Sequence, residues 1–227
     1  YDPSVIRILD QSEPGLAELK SELDDGRYRF LAGNIRDKDR LARAVDSIDI
    51  VIHTAAMKHV DISEYNPFEA VKTNVVGLQN LIDSSIDAGV DQFVFTSSDK
   101  AAHPANTMGT TKLLGEKIVT AANKYSGGHA ITLSSVRFGN VINSSQSVIP
   151  IFREQIKTGG PVTLTDPRMS RFFLTYNDVS ELVIGAMRHT QGGEIFIQKM
   201  DAIWIEDLAE AMIDVIAPEY GYNPSDI

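Results

Sequence analysis

The fold is decided by a stretch near the middle of the chain, QFVFTSSDK at residues 92–100. Its apolar run is typical of a strand buried on both faces of a parallel sheet. Predicted helices over residues 67–86 and 107–125 flank the run, and such alternation indicates crossover connections between parallel strands. We therefore expect the polar residues 97–100 to lie at the carboxyl edge of the sheet, where ligands bind in folds of this class.

The same alternation continues on both sides of this stretch. Further strands are predicted over residues 5–9, 27–31, 48–53 and 131–137, and further helices over 14–23 and 37–45. After about residue 140 the pattern changes to short helices over 148–157, 177–189 and 205–215, with brief strands over 162–164 and 194–197. We predict an α/β fold with a doubly wound, Rossmann-like parallel sheet. Residues 1–140 would form a dinucleotide-binding domain, and residues 141–227 mostly a small substrate-binding lobe, interleaved with the last strands.

A glycine-rich phosphate loop is absent from the sequence. Dinucleotide-binding sheets normally begin with a strand followed by G-x-G-x-x-G at the start of a helix. This chain instead leads from Tyr1 directly into what reads as a second strand. We expect the first strand and its loop to be missing from this sequence. The alternative is a smaller α/β protein without a nucleotide site.

The composition excludes several classes of function. The chain has 227 residues and a formal net charge of −10, which argues against a nucleic-acid partner because such a partner requires a basic face. Cysteine is absent, so disulfides, thiolate zinc sites and cysteine nucleophiles are excluded. The five histidines lack a metal-binding spacing, and no metal site is predicted. We find neither a secretion leader nor a membrane-spanning apolar run, and therefore expect a cytoplasmic protein without a membrane segment.

Residues at the predicted strand ends are candidates for cofactor binding. Asp10 ends the first predicted strand, where an acid hydrogen-bonds the ribose hydroxyls of NAD and repels the 2′-phosphate of NADP, so NAD is favoured. Alternatively, Asp10 caps the following helix. The small residues Thr54, Ala55 and Ala56 would allow a flat cofactor to approach the backbone. The other cofactor-binding candidates are Gln11, Asn34, Ile35, Asn74, Ser97, Lys112, Phe138 and Val141.

The most informative side chains follow the central strand. Ser98, Asp99 and Lys100 place a hydroxyl, an acid and a base together where the strand leaves the sheet. They are either an acid and a base for proton transfer or a helix cap with a solvated lysine. Lys112 lies on the next helix, four residues after Met108, so both project from one helix face. The earlier position of such a proton-transfer pair would normally hold tyrosine, whereas methionine is expected to pack in the core.

Candidate substrate-binding residues occur in three loops. Lys58 follows the third strand and either holds a phosphate or is a solvated loop lysine. Asn140 follows the last long strand, near the expected nicotinamide and substrate diphosphate. Thr165 and Arg171 lie in the smaller lobe, where the guanidinium fork suits a diphosphate; the alternative for Arg171 is surface ion pairing.

A set of motifs occurs in order along nearly the whole chain. They are HTAAMKHV at 53–60, EYNP at 64–67, TNVVG at 73–77, SSDKA at 97–101, PAN at 104–106, MGTTK at 108–112, RFGNV at 137–141 and GEIF at 193–196. The chain thereby resembles the inverting UDP-N-acetylglucosamine 4,6-dehydratases and their capsule-synthesis relatives. These belong to the extended short-chain dehydrogenase/reductases. The run Ser-Asp-Lys-Ala with the later x-Gly-x-x-Lys is specific to this branch.

The resemblance implies a reaction for this chain. Bound NAD(P) would oxidise C4 of a UDP-sugar, a base would remove the C5 proton, and an acid would protonate the departing 6-hydroxyl. Hydride would then return to C6, and C5 would be reprotonated on the opposite face. By resemblance, Lys100 is the C5 base, Asp99 is the C6 acid, Ser98 is a hydroxyl near O4, and Lys112 binds the nicotinamide ribose. Lys58, Asn140 and Arg171 match substrate-contacting positions of the family.

The chain departs from the family pattern at Met108, where many members carry the tyrosine that takes the O4 proton. We expect Lys112, or a water held by Ser98, to accept that proton instead. The family's later Arg-Pro-Gly-Glu-Lys segment is also absent. Two other functions stay open: a UDP-sugar 4-epimerase, which needs only the C4 step, and a non-catalytic NAD-binding scaffold or sensor. A homo-oligomer is expected in each case.

Overall fold

A computed structural model describes residues 1–144 and 147–227 of the chain. These residues form two compact units. The first contains Tyr1–Arg137 and Gly185–Phe196, and the second contains Phe138–Ile184 and Ile197–Ile227.

The strands and helices alternate through most of the chain. The strands are β1 (Ile6–Asp10), β2 (Tyr28–Ala32), β3 (Ile50–His53), β4 (Gln92–Ser98), β5 (Thr132–Phe138), β6 (Asn140–Val141), β7 (Ser170–Leu174), β8 (Ile195–Ile197) and β9 (Ala202–Trp204). The helices are α1 (Glu13–Glu22), α2 (Lys38–Val45), α3 (Val60–Tyr65), α4 (Pro67–Val71), α5 (Gly77–Asp87), α6 (Thr107–Tyr125), α7 (Val148–Lys157), α8 (Tyr176–His189) and α9 (Ile205–Ile216). A π-helical turn covers Lys72–Val76, and short 3₁₀ turns cover Asp99–Ala101, Ala217–Tyr220 and Pro224–Asp226.

Parallel strand pairing organises the first unit. Strand β1 pairs with β2 from Ile6 opposite Tyr28 to Asp10 opposite Ala32. A separate sheet has the order β3-β4-β5-β8, and in it His53 of β3 lies opposite Phe95 of β4. Parallel neighbours present their carboxyl ends at the same edge, so the residues that follow β3 and β4 leave the sheet together. The predicted α/β class with a parallel sheet is confirmed.

The core of the first unit consists of the apolar side chains that the strands and helices turn inward. Its fully buried members include Leu41, Leu78, Ile82, Phe93, Phe95 and Leu133. Burial of one such side chain contributes about 1.5–3 kcal/mol relative to exposure. This core fixes β4 between β3 and β5, and thereby fixes the position of the polar residues that follow β4.

The second unit contains a small mixed sheet. Strand β6 is parallel to β7, and β7 is antiparallel to β9. The strand predicted over residues 162–164 is wrong. The main-chain N–H of Thr163 donates to the side chain of Gln155 at 3.2 Å, while Val162 and Leu164 pack against the buried residues of α7 and α9. Prolines at 161 and 167 bracket the segment, and β7 supplies a strand that was not predicted.

The start of α6 is held close to the turn that carries the acid and the base. The Asn106 carboxamide caps the helix by accepting from the Gly109 N–H at 2.8 Å, and Glu64 of α3 accepts from the Thr107 N–H. A Cβ atom at Gly109 would lie 2.5 Å from the main-chain oxygen of Lys100. Glycine at this position therefore allows the helix to approach the turn.

We expect the Gly109→Ala variant to be destabilised by about 1–3 kcal/mol, because the added methyl group must displace either α6 or the Lys100 backbone. Urea unfolding measures the change in the free energy of unfolding. The matched control is Gly185→Ala in α8, where no atom lies within 4 Å of the added Cβ and alanine gains up to about 1 kcal/mol of helix propensity. Equal stabilisation of both variants would contradict the close approach at Gly109.

Candidate active site

Three consecutive residues at the end of β4 meet at one carboxylate oxygen. Asp99 Oδ1 accepts from Ser98 Oγ at 2.8 Å, from the Lys100 main-chain N–H at 2.8 Å and from Lys100 Nζ at 3.1 Å. The side chains of Asp99 and Lys100 are 18% and 30% exposed, so the ion pair is partly shielded while solvent and ligands can still reach it. The structure therefore brings together the hydroxyl, the acid and the base that the sequence singled out.

Lys112 lies in a buried position beside the same strand. Its Nζ donates to the main-chain oxygen of Thr96 at 2.7 Å and lies 4.7 Å from the centre of the Phe95 ring. Burial lowers the pKa of Lys112 to about 8, and this shift is opposed by the negative charge of Glu116. The amine can thus lose its proton near neutral pH, as a group that exchanges protons must. Met108, one turn earlier on α6, is buried in the core.

His53 is the last residue of β3 and lies beside the Phe95 ring. The two rings stack with their centres 5.7 Å apart. Burial, and to a lesser extent the charge on Lys112, lowers the pKa of His53 to about 3. The imidazole is therefore neutral at physiological pH and adds no second positive charge beside Lys112.

Asn74 links the loop after β3 to α6. Its Oδ1 accepts from the Met57 N–H at 2.8 Å, and its Nδ2 donates to the Met57 main-chain oxygen at 3.1 Å and to Thr111 Oγ1 at 2.9 Å. Asn74 lies in the π-helical turn between α4 and α5. The segment 67–86, predicted as one helix, is therefore not continuous α-helix. Asn74 thereby orients the loop that contains Thr54, Ala55 and Ala56.

The ends of β1 and β2 present polar groups that fit an adenosine. The exposed Asp10 carboxylate accepts from the Ser12 N–H at 2.7 Å, and Gln11 Oε1 accepts from Asn34 Nδ2 at 3.0 Å. A carboxylate can accept hydrogen bonds from ribose hydroxyls, so the chemistry of this edge is compatible with an adenosine. Ile35 is buried, and Arg36 is paired with Glu69 at 2.5 Å.

Two cavities contain the candidate substrate residues. In the first unit, a cavity of about 250 Å³ is lined by Ala56, Met57, Lys58, His59 and Ile62. In the second unit, a cavity of about 320 Å³ brings together Asn140, Thr165 and Arg171 among its lining residues. The Arg171 guanidinium is oriented there by the Ser170 main-chain oxygen and by the Met169 sulfur, each 2.8 Å away.

The remaining cofactor candidates lie in different settings. Ser97 is buried and donates from Oγ to Glu116 at 2.5 Å. Phe138 ends β5 and Val141 lies in β6. Sequence reasoning missed Glu116 altogether, although its spacing of four residues from Lys112 puts both side chains on one helix face.

Neither a metal-binding cluster nor a membrane-spanning helix is found in the part of the chain that the structure describes. Residues 1–144 and 147–227 contain no group of three or more acidic, histidine or cysteine side chains arranged to hold a metal ion. Across the same residues, no helix has the length and apolar character needed to span a membrane.

Comparison with known proteins identifies relatives along the whole chain. Residues 1–225 match a family model described as polysaccharide biosynthesis protein. A Methanocaldococcus jannaschii protein named an uncharacterized membrane protein is 52% identical over 227 residues, which are 100% of this chain and 68% of that protein. An inverting UDP-N-acetylglucosamine 4,6-dehydratase of Campylobacter jejuni is 41% identical over 213 residues, 93% of this chain and 64% of the enzyme. A UDP-glucose 4-epimerase of Rickettsia conorii is 37% identical over 214 residues, 94% of this chain and 63% of the enzyme.

Solved structures share the fold. The X-ray structure of Pen from Bacillus thuringiensis superposes with a TM-score of 0.94 at 46% identity, covering 97% of this chain and 68% of that one. A dTDP-glucose 4,6-dehydratase from Streptomyces venezuelae, solved with NAD and TYD bound, has a TM-score of 0.85 at 24% identity, covering 98% and 74%. The chain therefore belongs to the polysaccharide biosynthesis family of extended short-chain dehydrogenase/reductases, as its motifs predicted.

Proposed function

We propose that the protein is an NAD(P)-dependent 4,6-dehydratase that converts UDP-N-acetylglucosamine to a UDP-4-keto-6-deoxy sugar with inversion at C5, for the synthesis of surface polysaccharide or glycan. The observation that carries the proposal is the arrangement of Ser98, Asp99 and Lys100, which holds an acid and a base 3.1 Å apart at the end of β4. An elimination needs such a pair, because one group takes a proton from carbon while the other gives a proton to the leaving oxygen.

The chain's own residues would act in the following order. A bound nicotinamide dinucleotide supplies the hydride acceptor for C4 and the hydride donor for C6. Lys112 takes the O4 proton, and Ser98 supplies the hydroxyl that, by resemblance to the family, lies near O4. Lys100 then takes the C5 proton, whose bonding electrons form the C5–C6 double bond as the C6–O bond breaks. Asp99 protonates the departing hydroxyl, which leaves as water.

The elimination requires the Asp99–Lys100 pair in one particular protonation state. The reaction needs a neutral amine on Lys100 and a carboxylic acid on Asp99. The 3.1 Å contact between Lys100 Nζ and Asp99 Oδ1 would give a proton a direct path between the two side chains. When Lys100 has taken the C5 proton and Asp99 has given its own to the hydroxyl, the ion pair is restored.

The direct test of the proposed function is to incubate the full-length protein with UDP-N-acetylglucosamine and follow the sugar by ¹H NMR. A dehydratase yields a 6-methyl doublet and loses the C6 hydroxymethyl signals. Inversion at C4 with C6 unchanged would replace the proposal by a 4-epimerase. Absence of any sugar product would favour a non-catalytic scaffold or sensor.

The second candidate function is a UDP-sugar 4-epimerase. The 37% identity to an enzyme named UDP-glucose 4-epimerase supports it. An epimerase needs only proton exchange at O4, for which Lys112 suffices, and would leave the Asp99–Lys100 pair without a chemical task. The contact between Asp99 and Lys100, which an elimination uses and an epimerisation does not, is the reason that we favour dehydration.

We infer that NAD is bound in preference to NADP, with Asp10 on the adenosine ribose. The Asp10→Ala variant should bind NAD about 10- to 150-fold more weakly, because a hydrogen bond to a charged group contributes about 1.5–3 kcal/mol. Its preference for NAD over NADP should also decrease, since the repulsion of a 2′-phosphate is removed. Calorimetric titration of the full-length protein with each dinucleotide measures both effects. The control is Asp39→Ala, which removes another exposed acid, on α2, and should bind as the unmodified protein does.

We propose further that the partners are a UDP-sugar and a second copy of the chain, in the cytoplasm, where nucleotide sugars and NAD are available. Large apolar side chains on helices that contact one another in the first unit support the homo-oligomer. Tyr65 and Phe68 are 88% and 78% exposed, and Leu114 and Tyr125 are also exposed on one face of α6. Exposed apolar side chains concentrated in this way are typical of protein–protein interfaces.

A further inference from the structure

Glu116 is a fully buried acid that the proposed chemistry does not use. The residue is 1% exposed and lies on α6, one turn after Lys112. Transfer of a carboxylate into a protein interior is unfavourable unless it is paired and its oxygens accept hydrogen bonds. The interactions of the Glu116 side chain therefore indicate what stabilises its negative charge in the core.

One carboxylate joins α6 to two neighbouring strands. Arg137 of β5 approaches it with both nitrogens of its fork, Nε at 3.0 Å from Oε1 and Nη2 at 2.6 Å from Oε2. Ser97 of β4 donates from Oγ to Oε1 at 2.5 Å. Two-point pairing of this kind fixes both distance and orientation. Glu116 thereby fixes the helix that carries Lys112 relative to the strand that ends at the acid and the base.

The charge of Glu116 also acts on Lys112. Glu116 on α6 and His53 on β3 interact electrostatically with the Lys112 amine, and Arg137 on β5 is paired with Glu116. The Asp99–Lys100 ion pair lies on the turn that packs against α6. His53 is neutral, so Glu116 is the group that favours the ammonium form while burial disfavours it. The Thr96 oxygen that binds the amine belongs to the residue before Ser97, so one short segment of β4 contacts both side chains.

We propose that Glu116 is a positioning residue that sets the protonation of Lys112 and holds it against the end of β4, with Arg137 balancing its charge. The inference rests on the proposed function only in giving Lys112 a proton to exchange. Neutralising Glu116 leaves the Arg137 cation unbalanced nearby, so the amine loses its proton at lower pH. Neutralising Arg137 leaves the carboxylate unbalanced, so the amine keeps its proton to higher pH.

The test is an NMR titration that needs no turnover. The full-length protein is labelled with ¹³C-lysine, and the Lys112 Cε signal, assigned by its disappearance in Lys112→Arg, is followed from pH 6 to 11. In Glu116→Gln the midpoint should move down by about one pH unit, and in Arg137→Gln it should move up. Lys117→Gln on the exposed face of α6 removes a charge that solvent screens, and its midpoint should not move.

Opposite shifts of the Lys112 midpoint in the two variants support the proposal, because loss of packing alone would not shift the midpoint down in one variant and up in the other. Unchanged midpoints in folded proteins overturn it. If Glu116→Gln does not fold, the direction of the midpoint shift in Arg137→Gln decides whether the proposal holds. If neither variant folds, the proposal is overturned and the Glu116–Arg137 pair is purely structural. Because no sugar is present, these outcomes are independent of whether the protein proves to be a dehydratase.

Discussion

The Lys100→Met protein should reduce its bound nicotinamide in the presence of UDP-N-acetylglucosamine but should release the 4-keto-6-deoxy sugar far more slowly than the unmodified protein. In the proposed reaction, oxidation at C4 relies on Lys112 and Ser98, which the substitution leaves in place, whereas removal of the C5 proton would have lost its base. Loss of a positioned base slows a proton transfer by about 10²- to 10⁴-fold. Absorbance at 340 nm reports cofactor reduction, and the 6-methyl signal in ¹H NMR reports the product.

Two further variants test whether this result is specific to the Asp99–Lys100 pair. Asp99→Asn keeps the size of the side chain but cannot deliver a proton to the hydroxyl, so it should block the same step. Lys117→Met removes an exposed lysine from α6 and should leave product formation unchanged. Product formation by Lys100→Met at more than a tenth of the original rate would remove Lys100 from its proposed role.

The second large effect is expected at the first step of the reaction. The Lys112→Ala protein should show no cofactor reduction on addition of the sugar, because the group that accepts the O4 proton is lost. In the unmodified protein the rate of reduction should rise between pH 7 and 9, since only the neutral amine accepts a proton and its pKa is lowered to about 8 by burial. Stopped-flow absorbance at 340 nm measures both effects.

Met108→Tyr provides the companion variant for Lys112. If Lys112 carries the proton, a tyrosine one turn earlier is not required, and the variant should retain its turnover. Circular dichroism and urea unfolding establish that Lys112→Ala is folded before its rates are compared. Cofactor reduction that persists in folded Lys112→Ala would refute the assignment.

The alternation of strands and helices was predictable from sequence because apolar runs and turn residues mark it locally. The runs that became β1 to β5 were each located to within about two residues, as were α1, α2 and α6. The predicted helices α7, α8 and α9 and strand β8 were located to within one residue, whereas the strand predicted over 162–164 failed for a physical reason. Residues 162–164 have strand-like composition, but Val162 and Leu164 pack against the core formed by α7 and α9 as an irregular segment. Strand β7 alternates less clearly, and its partner β9 follows it by many residues.

In the candidate site, too, features formed by residues adjacent in sequence could be predicted, whereas contacts between residues far apart in sequence could not. The cluster Ser98, Asp99 and Lys100 is contiguous in sequence and could be found from its residue types alone. The pairing of Glu116 with Arg137 joins a helix to a strand 21 residues later, and a glutamate in a long helix is ordinarily assigned to solvent. The role of Asn74 likewise depends on a helical turn whose geometry is not encoded in its composition.

The π-helical turn at Lys72–Val76 limits the insertions and deletions that this chain can accept during evolution. A π-helical turn holds one residue more than an α-helical turn, so deleting a residue there would regularise the helix and rotate α4 by about 100° relative to α5. Asn74 would then point away from Met57 and Thr111, and the loop and α6 would lose their shared tether. Substitutions elsewhere on this helix alter a single contact, whereas a change in its length alters several at once. We therefore expect insertions and deletions to be rarer here than on any neighbouring surface of the first unit.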